Sequence, residues 1–206
     1  FARIEAVYEA REKAGLTPEQ KRLAWFHWNR FVRAGARLAP EQKARVAAIN
    51  QELAGLYTKF NQNLLHDEQS ILFLTQEDEL AGVRADLRAA SAAIAKQAGK
   101  PGQWAVPNTR SAVDPLLTYA SRRDLREKVW RAYYNRGDNG DAYDNNAIIT
   151  RTLKLRAERA RLLGFPTHAH WRTENAMAKT PEAAMALMMR VWPFAVARVK
   201  EEVAEM

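Results

Sequence analysis

The four histidines, at positions 27, 66, 168 and 170, are the side chains most able to anchor a catalytic metal, because the sequence contains no cysteine. A helical hydrolytic zinc site of the HExxH kind needs a second histidine four residues after the first, so that both nitrogens share one face. Four residues on from each stand Phe31, Ser70, Arg172 and Glu174, so that arrangement is absent. His168 and His170 are two apart and point to different sides of a helix, although a loop would let them converge; His170 and Glu174 share a face. No further ligand at a recognisable spacing joins them, so this trio reads as a helix start with a solvent-side ion pair. His66-Asp67-Glu68 reads as a solvated helix end, and His27 as a member of an aromatic cluster.

Nucleophilic and phosphate-binding chemistry is equally unsupported. GxSxG, GxxxxGK[ST] and GxGxxG do not occur, and most glycines stand alone as helix stops. Without cysteine there are no disulfides, thiolate zinc knuckles, iron–sulfur clusters or cysteine nucleophiles. Glu77-Asp78-Glu79 reads as an exposed capping cluster. Residues 151–161 carry Arg151, Lys154, Arg156, Arg159 and Arg161 against Glu158, and Arg122, Arg123 and Arg126 sit at another helix start. These charges are spread around their helices and interrupted by Leu153 and Leu155, with no nucleic-acid motif beside them, so they read as solvated faces. The residues themselves therefore nominate no catalytic, metal or substrate-binding side chain.

The elements carrying these residues belong to a folded chain. Its 206 residues are 47% hydrophobic and 27% charged, with a net charge of +8, which excludes disordered, collagenous and membrane-spanning classes. The positive balance permits an acidic partner without requiring one. Three helix starts are legible as a residue followed by Pro-Glu, at Thr17-Pro18-Glu19, Ala39-Pro40-Glu41 and Thr180-Pro181-Glu182. Thr17 and Gln20 add capping-box spacing. Behind the first, Leu23, Trp25, Phe26, Trp28, Phe31 and Val32 place large side chains on more than one face, predicting a helix wedged between neighbours and ended by Gly35. Val46, Ile49, Leu53, Leu56, Phe60 and Leu64 form a regular core stripe over 42–66. Ser70–Thr75 and Gln103–Val106 are the two strand predictions, with an alanine-rich helix over 83–98 between them. Ser121 with Asp124 has cap spacing for a helix running to Gly137, and Asp144 is the predicted cap of a helix over 144–163. A helix over 167–178 and a last helix from Pro181, kinked at Pro193, complete a mainly α multi-helix chain with a small β element.

The stretch Asn145-Asn-Ala-Ile-Ile-Thr-Arg-Thr-Leu-Lys-Leu-Arg-Ala-Glu-Arg-Ala-Arg-Leu-Leu-Gly-Phe165, followed by Trp171 and by Met177-Ala-Lys-Thr-Pro-Glu-Ala-Ala184, resembles the thimet-oligopeptidase family of zinc metallopeptidases, in its peptidyl-dipeptidase branch. Asn50 to Asn63, Glu79-Leu-Ala-Gly82, and Leu125-Arg-Glu-Lys128 with Arg136 are similar to family segments in the same order. The likeness runs from about Gln20 onward. It departs at Asn108 to Pro115, where many relatives have an aromatic-rich strand segment.

The resemblance implies a zincin-like fold of two mostly helical halves enclosing a channel, with zinc held in the half encoded downstream by HExxH and a later glutamate. None of those residues falls within 1–206, so the resemblance carries no catalytic or metal residue onto this chain. It implies a channel-wall fragment over 1–206, with a subdivision near 100–110, inactive alone. The parent would release C-terminal dipeptides from short peptides as a cytoplasmic or periplasmic monomer, with no nucleic acid or membrane as partner. Phe1 opens directly in a helical pattern, and Arg198 to Met206 has no stop signal, so both ends read as cuts in a longer polypeptide. A basic helical nucleic-acid-binding protein and a helical adaptor are the alternatives.

Overall fold

Capping chemistry sets the first boundaries. In the computed structural model, which describes residues 1–206, α1 (Ala2–Ala10) is followed by α2 (Pro18–Arg33). The Thr17 hydroxyl accepts the Gln20 N–H at 3.2 Å, and the Gln20 side chain accepts the Thr17 N–H at 3.0 Å, a reciprocal box with Pro18 at the first helical position. Gly35 follows with φ +97°, a conformation that favours glycine. α3 (Pro40–Glu68) is a single 29-residue helix.

Next come β1 (Ile71–Leu74), a 3₁₀ turn (Glu77–Leu80), α4 (Ala85–Gln97) and β2 (Trp104–Pro107). The two strands pair antiparallel with Ile71 opposite Pro107 and Leu74 opposite Trp104. Then follow α5 (Arg110–Tyr119), α6 (Arg123–Tyr134), α7 (Asn146–Leu162), α8 (His168–Thr173) and α9 (Pro181–Glu205). Nine α-helices and one two-stranded sheet agree with the mainly α expectation.

The chain divides into two units, one made of Phe1–Leu53 with Thr152–Met206, the other of Ala54–Arg151. Residues 100–110 lie inside the second. In the first unit, Val46, Ile49, Leu53, Leu155 and Ala160 are buried, and Arg45 grips Glu158 through two hydrogen bonds of 2.6 and 2.7 Å. Tyr8 stacks on Trp28 at 4.0 Å between ring centroids, joining α1 to α2. In the second unit the core is Leu74, Leu80, Val83, Val106, Val113, Leu116, Ala120, Leu125 and Val129, so both strands, the 3₁₀ turn and α5 and α6 all feed one apolar cluster.

Several expectations need correction. Leu23, Phe26 and Phe31 on α2 are exposed, so that helix is not wedged on all sides. Residues 110–119, to which the sequence reading assigned no element, are helical although Pro115 lies within them; Pro115 leaves the Ser111 carbonyl without its usual donor. Ser121 does not cap α6: its N–H donates to the Ala81 carbonyl at 2.7 Å, and Arg122 and Asp124 pair instead at 2.6 Å. Helix α8 ends at Thr173, well short of 178. Asp144 does serve the start of α7, accepting the Asn146 N–H at 2.7 Å, but Asn145 occupies the boundary and is buried. Lys179, in the turn before α9, is the one non-glycine residue with positive φ, at 64°.

Candidate functional site

The His168, His170 and Glu174 trio is dispersed. The His170 Nδ1 lies 2.8 Å from the Thr167 hydroxyl, and its Nε2 lies 3.5 Å from Glu182. Glu174 turns instead to Arg33, which binds it in an ion pair; Arg33 also donates to the Trp171 carbonyl at 2.5 Å, and the Trp171 indole N–H returns a bond to the Arg33 carbonyl at 3.3 Å. This reciprocal clasp fastens α2 to α8 and absorbs the carboxylate that sequence spacing offered to His170. No group of three or more His, Asp or Glu side chains converges as a metal site, so the residues present do not fit the zinc that the resemblance implies.

His168 sits differently. Its Nδ1 is shut off from solvent and has no hydrogen-bond partner. Burial, followed by the charges of Arg156, Arg159 and Arg172, pulls its pKa below the ordinary 6.5. As pH falls through 6.5, the unfolded chain takes up a proton that the folded chain still refuses, so stability declines with acidification across that window. His168→Gln is expected to flatten this part of the stability–pH curve in urea titrations run from pH 7.5 to 5.5. An unchanged slope would contradict the assignment.

The reading of His66-Asp67-Glu68 as a solvated helix end is wrong. Asp67 is buried and accepts the Gly137 N–H at 2.7 Å and the Asn139 side-chain amide at 3.1 Å, while its own carbonyl accepts from Asn108 at 3.0 Å. Glu68 pairs with Arg136 at 2.5 Å, and His66 stacks on Tyr143 at 3.4 Å between centroids. Buried Asn145 accepts from the Asn63 amide at 3.0 Å, donates to the Phe60 carbonyl at 3.3 Å, and gives its backbone N–H to the Gly137 carbonyl at 2.7 Å. The end of α3 thus clamps the turn that leads into α7 through buried polar groups. Sequence reasoning missed this junction; its one signal was that Asn63, Asn145 and Arg136 all fall within the segments that carried the resemblance.

The remaining charged candidates are structural or solvated. Glu79 accepts the Thr75 and Gln76 N–H groups at 3.0 Å each, as a capping cluster should. His27 is exposed and meets Phe26 edge-on at 5.5 Å. Arg126 donates to the Ala120 and Ser121 carbonyls, and Arg159 donates to Asn50 at 2.8 Å and lies over the Trp171 ring. Acid/base machinery is not assembled by any of these.

Helix α9 presents Leu187, Met188, Val191, Trp192, Phe194, Val199 and Val203 to solvent, with Phe194 77% exposed. No helix is long and apolar enough to cross a membrane.

Residues 116–206 match peptidase family M3. The likeness extends beyond that segment: the chain is 40% identical over 99% of its length to the dipeptidyl carboxypeptidase of Escherichia coli K12. Along its length the chain is similar to M3 peptidases. It is similarly 38% identical over its full length to the dipeptidyl carboxypeptidase of Salmonella typhimurium LT2, and 32% identical over 89% of its length to the organellar oligopeptidase A of Arabidopsis thaliana. These matches cover 30%, 30% and 24% of the relatives, so the chain spans less than a third of their length.

Proposed function

We propose that the chain forms part of the wall of a substrate channel in a zinc-dependent peptidyl-dipeptidase, and that it is catalytically silent alone. The observation that carries this reading is the near-complete alignment of the chain with dipeptidyl carboxypeptidases, of which it represents 30%. In this reading the zinc that the family implies is held by polypeptide beyond these 206 residues, and the substrates are short peptides trimmed two residues at a time from the C-terminus. The chain supplies a stiff helical framework: α3 and α7 are long, and the Asp67 and Asn145 clamp fixes the turn between α6 and α7. The uncovered apolar side chains of α9 fit burial beneath the rest of such a protein. The parent works as a monomer in the cytoplasm, the periplasm being the alternative, without nucleic acid or membrane as partner.

The test is twofold. The reading frame continuing past residue 206 is expected to encode an HExxH on a helix with a later glutamate ligand, and its product is expected to release dipeptides from a peptide with a free C-terminus. The 206-residue chain, given zinc and the same peptide, is expected to release none. A frame without the motif, or turnover by the chain alone, overturns the reading.

A further inference from the structure

A small pocket of about 180 Å³ opens beside α7 and the start of α8. Leu153, Ala157 and Pro166 give it an apolar wall, and Arg156, Arg161 and His168 give it a basic rim. No carboxylate lines it. Nearby acids are already committed: Glu158 to Arg45, and Glu174 to Arg33. Arg161, in contrast, is exposed and makes no ion pair or hydrogen bond, so its guanidinium keeps its five donors for a ligand. The Thr167 hydroxyl on the same wall is taken up by His170.

We propose that this pocket binds a small organic carboxylate bearing a branched apolar arm, the carboxylate meeting Arg161 and the arm lying against Leu153, Ala157 and Pro166. The chemistry follows from the lining. A guanidinium fork such as that of Arg161 matches a carboxylate in geometry and charge. Leu153 is 59% exposed, so covering it with an aliphatic group removes apolar surface from water. A pocket this size holds one short branched chain rather than a larger ligand. The groups acting on His168 are Arg156 and Arg159 of α7 and Arg172 of α8, all cationic; an anion seated among them favours the protonated ring. This inference is independent of the peptidase reading.

The probes are 4-methylpentanoate, its neutral amide and inorganic phosphate, each titrated into the ¹⁵N- and ¹³C-labelled chain and followed by NMR. Saturable shifts of Leu153 and His168 resonances are expected with the carboxylate, with weaker binding by roughly tenfold for the amide, for phosphate and for Arg161→Gln. The His168 titration midpoint is expected to rise when the carboxylate is saturating. Arg161 is exposed and unpaired, so Arg161→Gln is expected to keep the parent's amide spectrum elsewhere, which certifies the fold; Arg161→Lys retains charge without the fork and should fall between. Equal binding of acid and amide reduces the site to a greasy dimple and overturns the proposal. So does equal or tighter binding of phosphate, an unaltered affinity in Arg161→Gln, or no saturable shift at all.

Discussion

Gly82→Ala is expected to lower the unfolding free energy by about 4 kcal/mol, combining backbone strain with a collision that the fold cannot relax cheaply. Gly82 has φ +81°, and a Cβ there would stand 2.4 Å from both the Tyr119 carbonyl oxygen and the Ser121 hydroxyl, and 2.9 Å from the Ser121 nitrogen. Two of those atoms are backbone, so the segment 119–121 must retreat. Retreat loosens the 2.7 Å bond from the Ser121 N–H to the Ala81 carbonyl, beside the buried Leu80 and Ala120. Gly140→Ala is the control: its φ is +69° but nothing lies within 4 Å, so it should cost only about 1 kcal/mol. Urea denaturation of the two variants measures both. Equal losses would show that conformation alone, and not the close approach, makes Gly82 necessary.

Asp67→Ala is expected to cost about 3 kcal/mol, because it strands a buried backbone N–H at Gly137 and releases the Asn139 amide together. Glu68→Ala, one residue on, loses a partly exposed ion pair with Arg136 and should cost no more than about 1 kcal/mol. Asp67→Asn retains an acceptor oxygen of similar shape and should fall between. Hydrogen exchange offers a local check, since the Gly137 amide should lose protection in Asp67→Ala. Retention of that protection would place the N–H in some other bond.

These two positions mark where sequence reading succeeds and fails. Thr17, Pro18 and Gln20 announce a helix start because the whole device lies within four residues, and the stripe from Val46 to Leu64 announces α3 because its period is local. Asp67 looks like an exposed helix end because its partner, Gly137, lies 70 residues along the chain. Glu174 looks available to His170 because helical spacing cannot reveal Arg33, 141 residues before it. Helix α5 is concealed for another reason: Pro115 argues locally against a helix, while the burial of Val113 and Leu116 in the core holds those residues helical. Ser121 shows the converse, a residue with capping chemistry diverted by a tertiary bond to Ala81. The absence of HExxH was legible outright, since it depends on residue identity alone.

The division of the chain also imposes an order on its biosynthesis. Residues 54–151 make one unit without interruption, whereas the other needs both Phe1–Leu53 and Thr152–Met206. A nascent chain leaving the ribosome can therefore finish the inserted unit while the opening 53 residues wait, for about 5 to 20 s at usual elongation rates, with Val46, Ile49 and Leu53 uncovered. Those three side chains are where a co-translational holdase would have reason to bind, and a ribosome pause shortly before the codon for Thr152 would lengthen their exposure.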